Sequence, residues 1–298
     1  MTSLRKFVLI TGCSAGGIGA GLAEVFREKG YHVFATLRNP SKLPPTLSKV
    51  SNVTPLTLDV LSPESIAAAV KTVSQETGGR LDVLVNNSGQ NFIMPALDVD
   101  IEKARRLFDL NFFAPLAMIQ AFAPLLIEAK GLIVNQSSAA GYVPMPFASI
   151  YNGSKAALNT AGGIWARELQ PLGVRILTLV TTSVKTPAFD NIEKPKVPES
   201  SYYYVIRDYI VRMSDGRLQD GSPDTRTYAL KVVGEIQKGT TGEIWVGKDA
   251  SVNRWALRLL PASVFVSYPA FRSISVSRLF ALINKIGLGL GWIPQGFR

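Results

Sequence analysis

Continuous apolar runs rich in β-branched residues, each bounded by turn residues, recur along the chain at residues 7–10, 31–36, 53–58, 81–85, 131–135, 174–180 and 243–246. A strand with one wet face alternates apolar and polar positions; these do not, the pattern of strands covered on both faces. Helix-length stretches separate them. Residues 19–28, 63–76, 101–128 and 154–170 carry Ala, Leu, Ile and Phe at helical spacing. Ser62 followed by Pro63 is a favourable helix start, and Gly173 a stop after the last of these helices. Alternating strands and helices joined by right-handed crossovers predict an α/β fold with a doubly wound parallel sheet. We expect one domain over residues 1–249 and an extension over 250–298, with no internal repeat.

The rhythm breaks at residues 185–201, which contain Pro187, Pro195 and Pro198. An insertion past a strand's C-terminal end lies where ligands bind in such sheets, so a substrate loop is expected over about 185–225. Within it, SYYYVIRDYIVRM (201–213) reads as a helix. Its Tyr203, Val205, Ile206 and Tyr209 either line a pocket or pack in the core. Residues 250–298 carry no Asp or Glu, six Lys or Arg, and large apolar residues including Trp255, Phe265, Phe271, Phe280 and Trp292. The longest uncharged piece, 259–271, is too short to span a bilayer. Such an extension either lies in a membrane interface, as a peripheral contact, or packs on its own domain or a partner subunit.

A net charge of +10 is compatible with an anionic cofactor and substrate or an anionic surface. Bases such as Arg105, Arg106, Lys194 and Lys196 are scattered rather than blocked, so no nucleic-acid partner is expected. The single cysteine, Cys13, excludes an intramolecular disulfide, and the single histidine, His32, leaves no Cys/His cluster for zinc; no metal is expected. The apolar run 7–10 is too short for a signal-peptide core, which points to the cytoplasm.

ITGCSAGGIGAGLA (10–23) leaves the first run and opens the first helix. Backbone N–H groups of such a turn, together with a helix N-terminus, hold phosphate, with glycine wherever a side chain would block close approach. VNNSG (85–89) follows the fourth run, and YNGSK (151–155) stands at the start of a helix. Tyr151 and Lys155, four residues apart, share a helix face. There an ammonium favours the phenolate and brings a proton donor of ordinary pKa ~10 into useful range. Ser138, just past the fifth run, is suited to donate a hydrogen bond to a substrate oxygen. Taken singly, Tyr151 and Lys155 also read as an ordinary helical pair, Ser138 as a helix cap and Asn111 as a structural side chain.

Taken together and in this order, Thr11, Gly12, Gly17, Ile18 and Gly19, then Asn86, Asn87 and Gly89, then Asn111, Ser138, Tyr151 and Lys155 resemble the short-chain dehydrogenase/reductase superfamily over residues 6–247. The resemblance implies a Rossmann-type sheet and a catalytic set. In it Tyr151 is the general acid/base, Lys155 binds the nicotinamide ribose and lowers the Tyr151 pKa, Ser138 positions the carbonyl, and Asn111 supports a relay water. It further implies cofactor contacts at Gly12, Ser14, Gly17, Ile18, Gly19, Asn87, Ser88, Gly89, Tyr151 and Lys155. Asp59 matches an aspartate at the adenine ring, though it also reads as a cap before Ser62. Val184 and Thr186 match positions that hold the carboxamide. Arg38 ends the second strand where a carboxylate would bind ribose hydroxyls; an arginine suits a 2′-phosphate, so NADP(H) is expected.

Three departures stand out. The Gly-rich loop has one residue more than most of the family. The longer form resembles the branch containing fungal NADPH-dependent 1-acyldihydroxyacetone-phosphate reductases, with Ser14 and Ala15 toward the 2′-phosphate. Ser88 stands for the usual alanine, and Thr181-Thr182 for a common Pro-Gly, which changes local backbone freedom. The resulting expectation is an NADPH-dependent carbonyl reductase, or alcohol dehydrogenase, acting on a bulky lipophilic ketone: an acyl-dihydroxyacetone phosphate, or a polyketide, terpenoid or steroid-like intermediate. The alternative is a non-redox isomerase, cyclase or dehydratase on the same fold. The family's habits add a homo-oligomer formed through the helices of Asn111 and Tyr151. For such a lipid-active enzyme the endoplasmic reticulum or lipid-droplet surface is the expected place of contact.

Overall fold

In the computed structural model, which describes residues 5–48, 50–187, 194–216 and 219–260, each of the seven apolar runs forms a strand. They are β1 (Phe7–Thr11), β2 (His32–Leu37), β3 (Val53–Thr57), β4 (Val83–Asn86), β5 (Leu132–Ser138), β6 (Arg175–Thr181) and β7 (Gly242–Val246). All pair in parallel, in the order β3-β2-β1-β4-β5-β6-β7. The helices are α1 (Ile18–Glu28), α2 (Pro45–Ser48), α3 (Pro63–Thr77), α4 (Ile101–Phe108), α5 (Ala114–Ala129), α6 (Ser149–Leu169), α7 (Arg207–Arg212), α8 (Thr225–Gln237) and α9 (Ala250–Leu259). The strand order reverses direction between β1 and β4. Crevices at such switch points, beyond the strands' C-terminal ends, are where ligands bind.

The pleat sends alternate side chains to opposite faces, and helices cover both. Val8 and Ile10, with Val33, Val85, Val134 and Leu177, meet Phe26 of α1 and Tyr228, Val232 and Val233 of α8. Leu9, with Phe34, Leu84, Ile133 and Ile176, meets Val73 of α3 and Met118, Phe122 and Leu126 of α5. This two-sided burial is why the runs are continuous. Helix α3 starts as expected, with Ser62 Oγ accepting the Ser65 N–H at 3.1 Å and Pro63 in the first position.

Several boundaries differ from the sequence expectation. β5 runs three residues further than predicted and ends on Ser138, because its β6 partner continues opposite it to Thr181. Helix α6 begins at Ser149 rather than at residue 154, which places Tyr151 in its first turn. The predicted helix 101–128 is continuous but contains a π-helical turn, Asp109–Phe113, between α4 and α5. Helix α8 was not anticipated; it is the crossover that makes β7 parallel to β6. Residues 250–259 of the predicted extension form α9, and residues 261–298 lie outside the described residues.

Helix α6 lies unusually close to β6. A Cβ at Gly162 would collide with Thr178 Oγ1, so only glycine lets this helix approach the strand beneath it. Gly162→Ala is expected to destabilise the protein by about 1–3 kcal/mol through overpacking. Adding Thr178→Ala, which removes the obstructing hydroxyl, should recover more than half of that loss in urea denaturation.

Candidate active site

After β1 the chain turns through Gly12 and Gly16, both at positive φ (77° and 74°), and enters α1 behind Gly17. No side chain caps that helix start, and its first turn contains no acid. Its N–H groups and the positive end of its dipole therefore face outward, ready for an anion. A Cβ on Gly19 would overlap Gly12 O and come within 2.6 Å of Asn87 Nδ2. The uncapped start of α1, rather than the turn itself, thus offers the free donors, which fits a dinucleotide pyrophosphate.

The extra loop residue is tied down rather than bulged outward. Ala15 N–H donates to Lys42 O at 2.9 Å, and the Gly12 and Cys13 N–H groups donate to Thr36 O at 2.9 and 3.0 Å. Ser14 and Ala15 therefore lie beside the turn that follows β2, on which Arg38 and Lys42 are exposed. Neither cation makes an ion pair among the described residues. Lys42 was not singled out from the sequence. Asp59 Oδ1 accepts the Leu61 N–H at 3.0 Å, the turn-forming bond of a residue that leads into α3.

The loop after β4 joins this cradle to the catalytic residues. Thr11 Oγ1 accepts the N–H groups of Asn87 and Ser88, each at 2.9 Å, while Asn87 Nδ2 donates to Thr11 O and Gly12 O at 2.8 and 3.2 Å. A Cβ on Gly89 would lie 3.1 Å from Asn111 Oδ1 and 3.5 Å from Lys155 Nζ. Asn111, fully buried in the π turn, accepts from Gln90 N and donates to Gln90 O, both at 2.9 Å, and to Ser154 Oγ at 3.0 Å. Its amide thus locks the loop to α6.

Tyr151, Lys155 and Ser138 converge at the C-terminal end of β5. Burial raises the Tyr151 phenol above its ordinary value, and a hydrogen bond with Ser138 works against that rise. Ser138 Oγ also accepts the Ala140 N–H at 3.1 Å, so the serine does cap the short turn that follows it. Lys155 Nζ donates to Gln136 O at 2.9 Å, and burial brings its pKa down to about 8. Its proton is therefore retained at neutral pH and lost a little above it.

Thr181 takes part in a buried ring of hydroxyl and amide groups. Gln136 Nε2 donates to Thr181 Oγ1 at 2.6 Å, Thr181 Oγ1 lies 2.6 Å from the Tyr228 hydroxyl, and that hydroxyl donates to Gln136 Oε1 at 3.0 Å. With the two other donors so placed, the Thr181 hydroxyl donates to Tyr228, and the cycle closes. Burial pushes the Tyr228 phenol up to about 12, which keeps its proton in the ring. Thr182 Oγ1 donates to Lys248 O at 2.7 Å. The next residues are fastened as well. Val184 is buried, Lys185 N–H donates to Pro223 O at 2.8 Å and Thr186 N–H to Gln219 Oε1 at 2.7 Å. Pro187 then packs on the Gly-rich loop, 3.0 Å from where a Gly16 Cβ would stand.

Ile93, Ala148, Ile210 and Met213 form a buried cluster against which Met145, Phe147, Val197 and Tyr203 pack. Phe147 has φ 64°, rare for an aromatic residue, and its ring meets Tyr203 and Tyr209 edge-on at 5.7 and 6.5 Å. The predicted helix 201–213 is a short 3-10 turn followed by α7. Of its four singled-out residues, Tyr203 packs on this cluster and Tyr209 on Phe147, whereas Val205 is 90% and Ile206 42% exposed.

Comparison with known proteins agrees with this geometry. A family model described as short chain dehydrogenase matches residues 6–196. The chain is 41% identical to the short-chain dehydrogenase PC-15 of Penicillium crustosum over 86% of its own length and 94% of that protein. It is 40% identical to the NADPH-dependent 1-acyldihydroxyacetone phosphate reductase of Schizosaccharomyces pombe over 70% of this chain and 71% of that one. Among solved structures, a short chain dehydrogenase of Burkholderia cenocepacia in complex with NADP superposes with TM-score 0.69 at 25% identity, covering 88% of this chain and 96% of the other.

Thr181→Val removes the hydroxyl that closes the buried ring and leaves a Gln136 donor and a Tyr228 acceptor unmatched. A loss of roughly 1–3 kcal/mol is expected, read as a lower urea midpoint at unchanged slope. Thr181→Ser, which keeps the hydroxyl, should recover most of it.

Proposed function

This chain belongs to the short-chain dehydrogenase/reductase family, and on that premise we propose that it is an NADPH-dependent carbonyl reductase acting on a bulky lipophilic ketone. The observation that carries the reading is the convergence of Ser138, Tyr151 and Lys155 beside the open N-terminus of α1. Gly12, Gly17, Ile18 and Gly19 would hold the pyrophosphate, and Val184 and Thr186 the carboxamide. Arg38, with Ser14 and Lys42 nearby and without a carboxylate at the end of β2, favours a 2′-phosphate. The NADP complex of one relative and the NADPH dependence in another's name support the same choice.

When bound, NADPH supplies the hydride that reduces the carbonyl carbon. The chain's own residues deal with the oxygen. Ser138 donates a hydrogen bond that orients the carbonyl and polarises it. Tyr151, held protonated by burial, gives its proton to the oxygen as negative charge develops there. Lys155, still an ammonium at neutral pH, stabilises the phenolate left behind. Asn111 holds Gln90 and Ser154 in register, which fixes the distance between the cradle and the acid. The products are the alcohol and the oxidised cofactor.

The partly buried Met145, Phe147, Val197 and Tyr203, packed on the buried cluster of Ile93, Ala148, Ile210 and Met213, support a lipophilic substrate. The substrate is an acyl-dihydroxyacetone phosphate-like ketone or a polyketide, terpenoid or steroid-like intermediate, and the name of the Schizosaccharomyces pombe relative supports the first of these.

Tyr151→Phe is expected to lower kcat for ketone reduction about 10²–10⁴-fold while NADPH binds as before; unchanged turnover, or turnover with no change in NADPH absorbance, contradicts the assignment. Because burial depresses the Lys155 pKa, its charge is present below about 8 and lost above it. The kcat/KM for reduction should therefore fall as pH rises through about 8, and Lys155→Met should abolish that inflection along with most of the rate.

A further inference from the structure

At the end of the sheet opposite the catalytic residues, the starts of β1, β2, β4, β5 and β6 and the end of α8 surround a cavity of about 730 Å³. Five cations border it: Arg5, Lys6, Lys29, Lys130 and Arg175. The one carboxylate on its wall, Asp82, already has partners. Its Oδ2 accepts the Phe7 N–H at 2.8 Å and its Oδ1 the Arg80 guanidinium at 2.9 Å. Among the described residues none of the five cations makes an ion pair.

Part of this charge has a local explanation. Lys29 and Lys130 are the C-cap residues of α1 and α5, where a cation meets the negative end of a helix dipole. Arg5 and Lys6 precede a strand and have no helix end of their own. Arg5 is moreover held in place. Its guanidinium donates to His32 Nδ1 at 2.7 Å, His32 Nε2 lies 2.9 Å from Thr54 Oγ1, and that hydroxyl donates to Glu76 at 3.1 Å. Burial and the adjacent Arg5 lower the His32 pKa, so Nδ1 is a neutral acceptor that anchors the arginine. The floor holds Tyr31, only 6% exposed, whose hydroxyl has no hydrogen-bond partner among the described residues. Burial and Asp82 raise the Tyr31 pKa, so it remains a donor.

The cavity wall thus presents N–H and O–H donors with an excess of four positive charges. Its volume falls within the usual range for small-molecule sites. Guanidinium forks at Arg5 and Arg175 suit phosphoryl oxygens, and a singly charged ligand would leave most of the field unbalanced. We propose that this cavity is a second binding site, separate from the dinucleotide cradle, for a ligand bearing two or more phosphoryl groups. A free organic polyphosphate and a phospholipid headgroup share that chemistry.

The test is calorimetric titration with inorganic tripolyphosphate at low salt, in excess NADPH to occupy the cradle. Wild type is compared with Lys130→Gly/Arg175→Ala and with a control lacking two exposed cations elsewhere, Lys71→Ala/Arg106→Ala. Glycine suits position 130, whose φ is 49°, so the first variant retains its fold. A parallel arm measures co-sedimentation with phosphatidylcholine vesicles containing phosphatidic acid. Expected is one site per chain, weakened at least tenfold by Lys130→Gly/Arg175→Ala, unaffected in the control and weaker at higher salt. The same pattern with vesicles alone assigns the site to a headgroup. No binding to either probe, or equal binding by all three proteins, overturns the proposal. Because the readout is the difference between variants, it holds whether or not NADPH occupies the cradle.

Discussion

Thr11 Oγ1 accepts two N–H groups from the loop after β4, and Asn87 returns two bonds from its side chain to the backbone of Thr11 and Gly12. At the other end of the same loop, Asn111 clamps Gln90 and reaches Ser154 on α6. Five residues therefore connect the Gly-rich turn to the helix of Tyr151 and Lys155 through short bonds, all at least partly buried. Any displacement of α1 relative to α6 must break this chain, and the Gly19 contact leaves no space to absorb one. Two reacting groups held on separate elements gain their rate advantage from such fixed separation.

The same burial that fixes geometry adjusts protonation. Removing Tyr151 and Lys155 from water disfavours both charged forms, raising the phenol pKa and lowering the ammonium pKa, so the two values move apart. The phenol is thereby held as the protonated donor, while the ammonium that supports the phenolate titrates nearer the working pH. The Gln136 carbonyl, which holds the ammonium, belongs to the residue whose side chain closes the ring with Thr181 and Tyr228. Where the family commonly has Pro-Gly, this chain thus substitutes hydroxyl bonds for a stiff backbone, and the segment 181–186 stays fastened at Thr181, Thr182, Lys185 and Thr186.

What was legible in the sequence followed from locality. Strands covered on both faces are continuous apolar runs, so all seven were visible. Tyr151 and Lys155 are helix neighbours at fixed spacing, and Ser138 follows a strand, so their meeting needed only the fold class. Helix α8 was missed although Tyr228, Ala229, Val232, Val233 and Ile236 repeat at helical spacing, because it follows a segment rich in Pro, Gly and Ser that reads as loop. With it went Tyr228 and the polar ring, whose members lie 45 to 92 positions apart and meet only through the β5–β6 register and the packing of α8. The exposure of Val205 and Ile206 was likewise unreadable, since it depends on which face of a short turn meets Phe147.

The most direct test of a cradle built for a 2′-phosphorylated dinucleotide is titration of the protein with NADPH and with NADH, following nicotinamide fluorescence, for wild type and Arg38→Ala. Tighter binding of NADPH, lost selectively in Arg38→Ala while NADH is unaffected, is the expected result. Binding of neither nucleotide, or a preference for NADH that the substitution leaves intact, would contradict it.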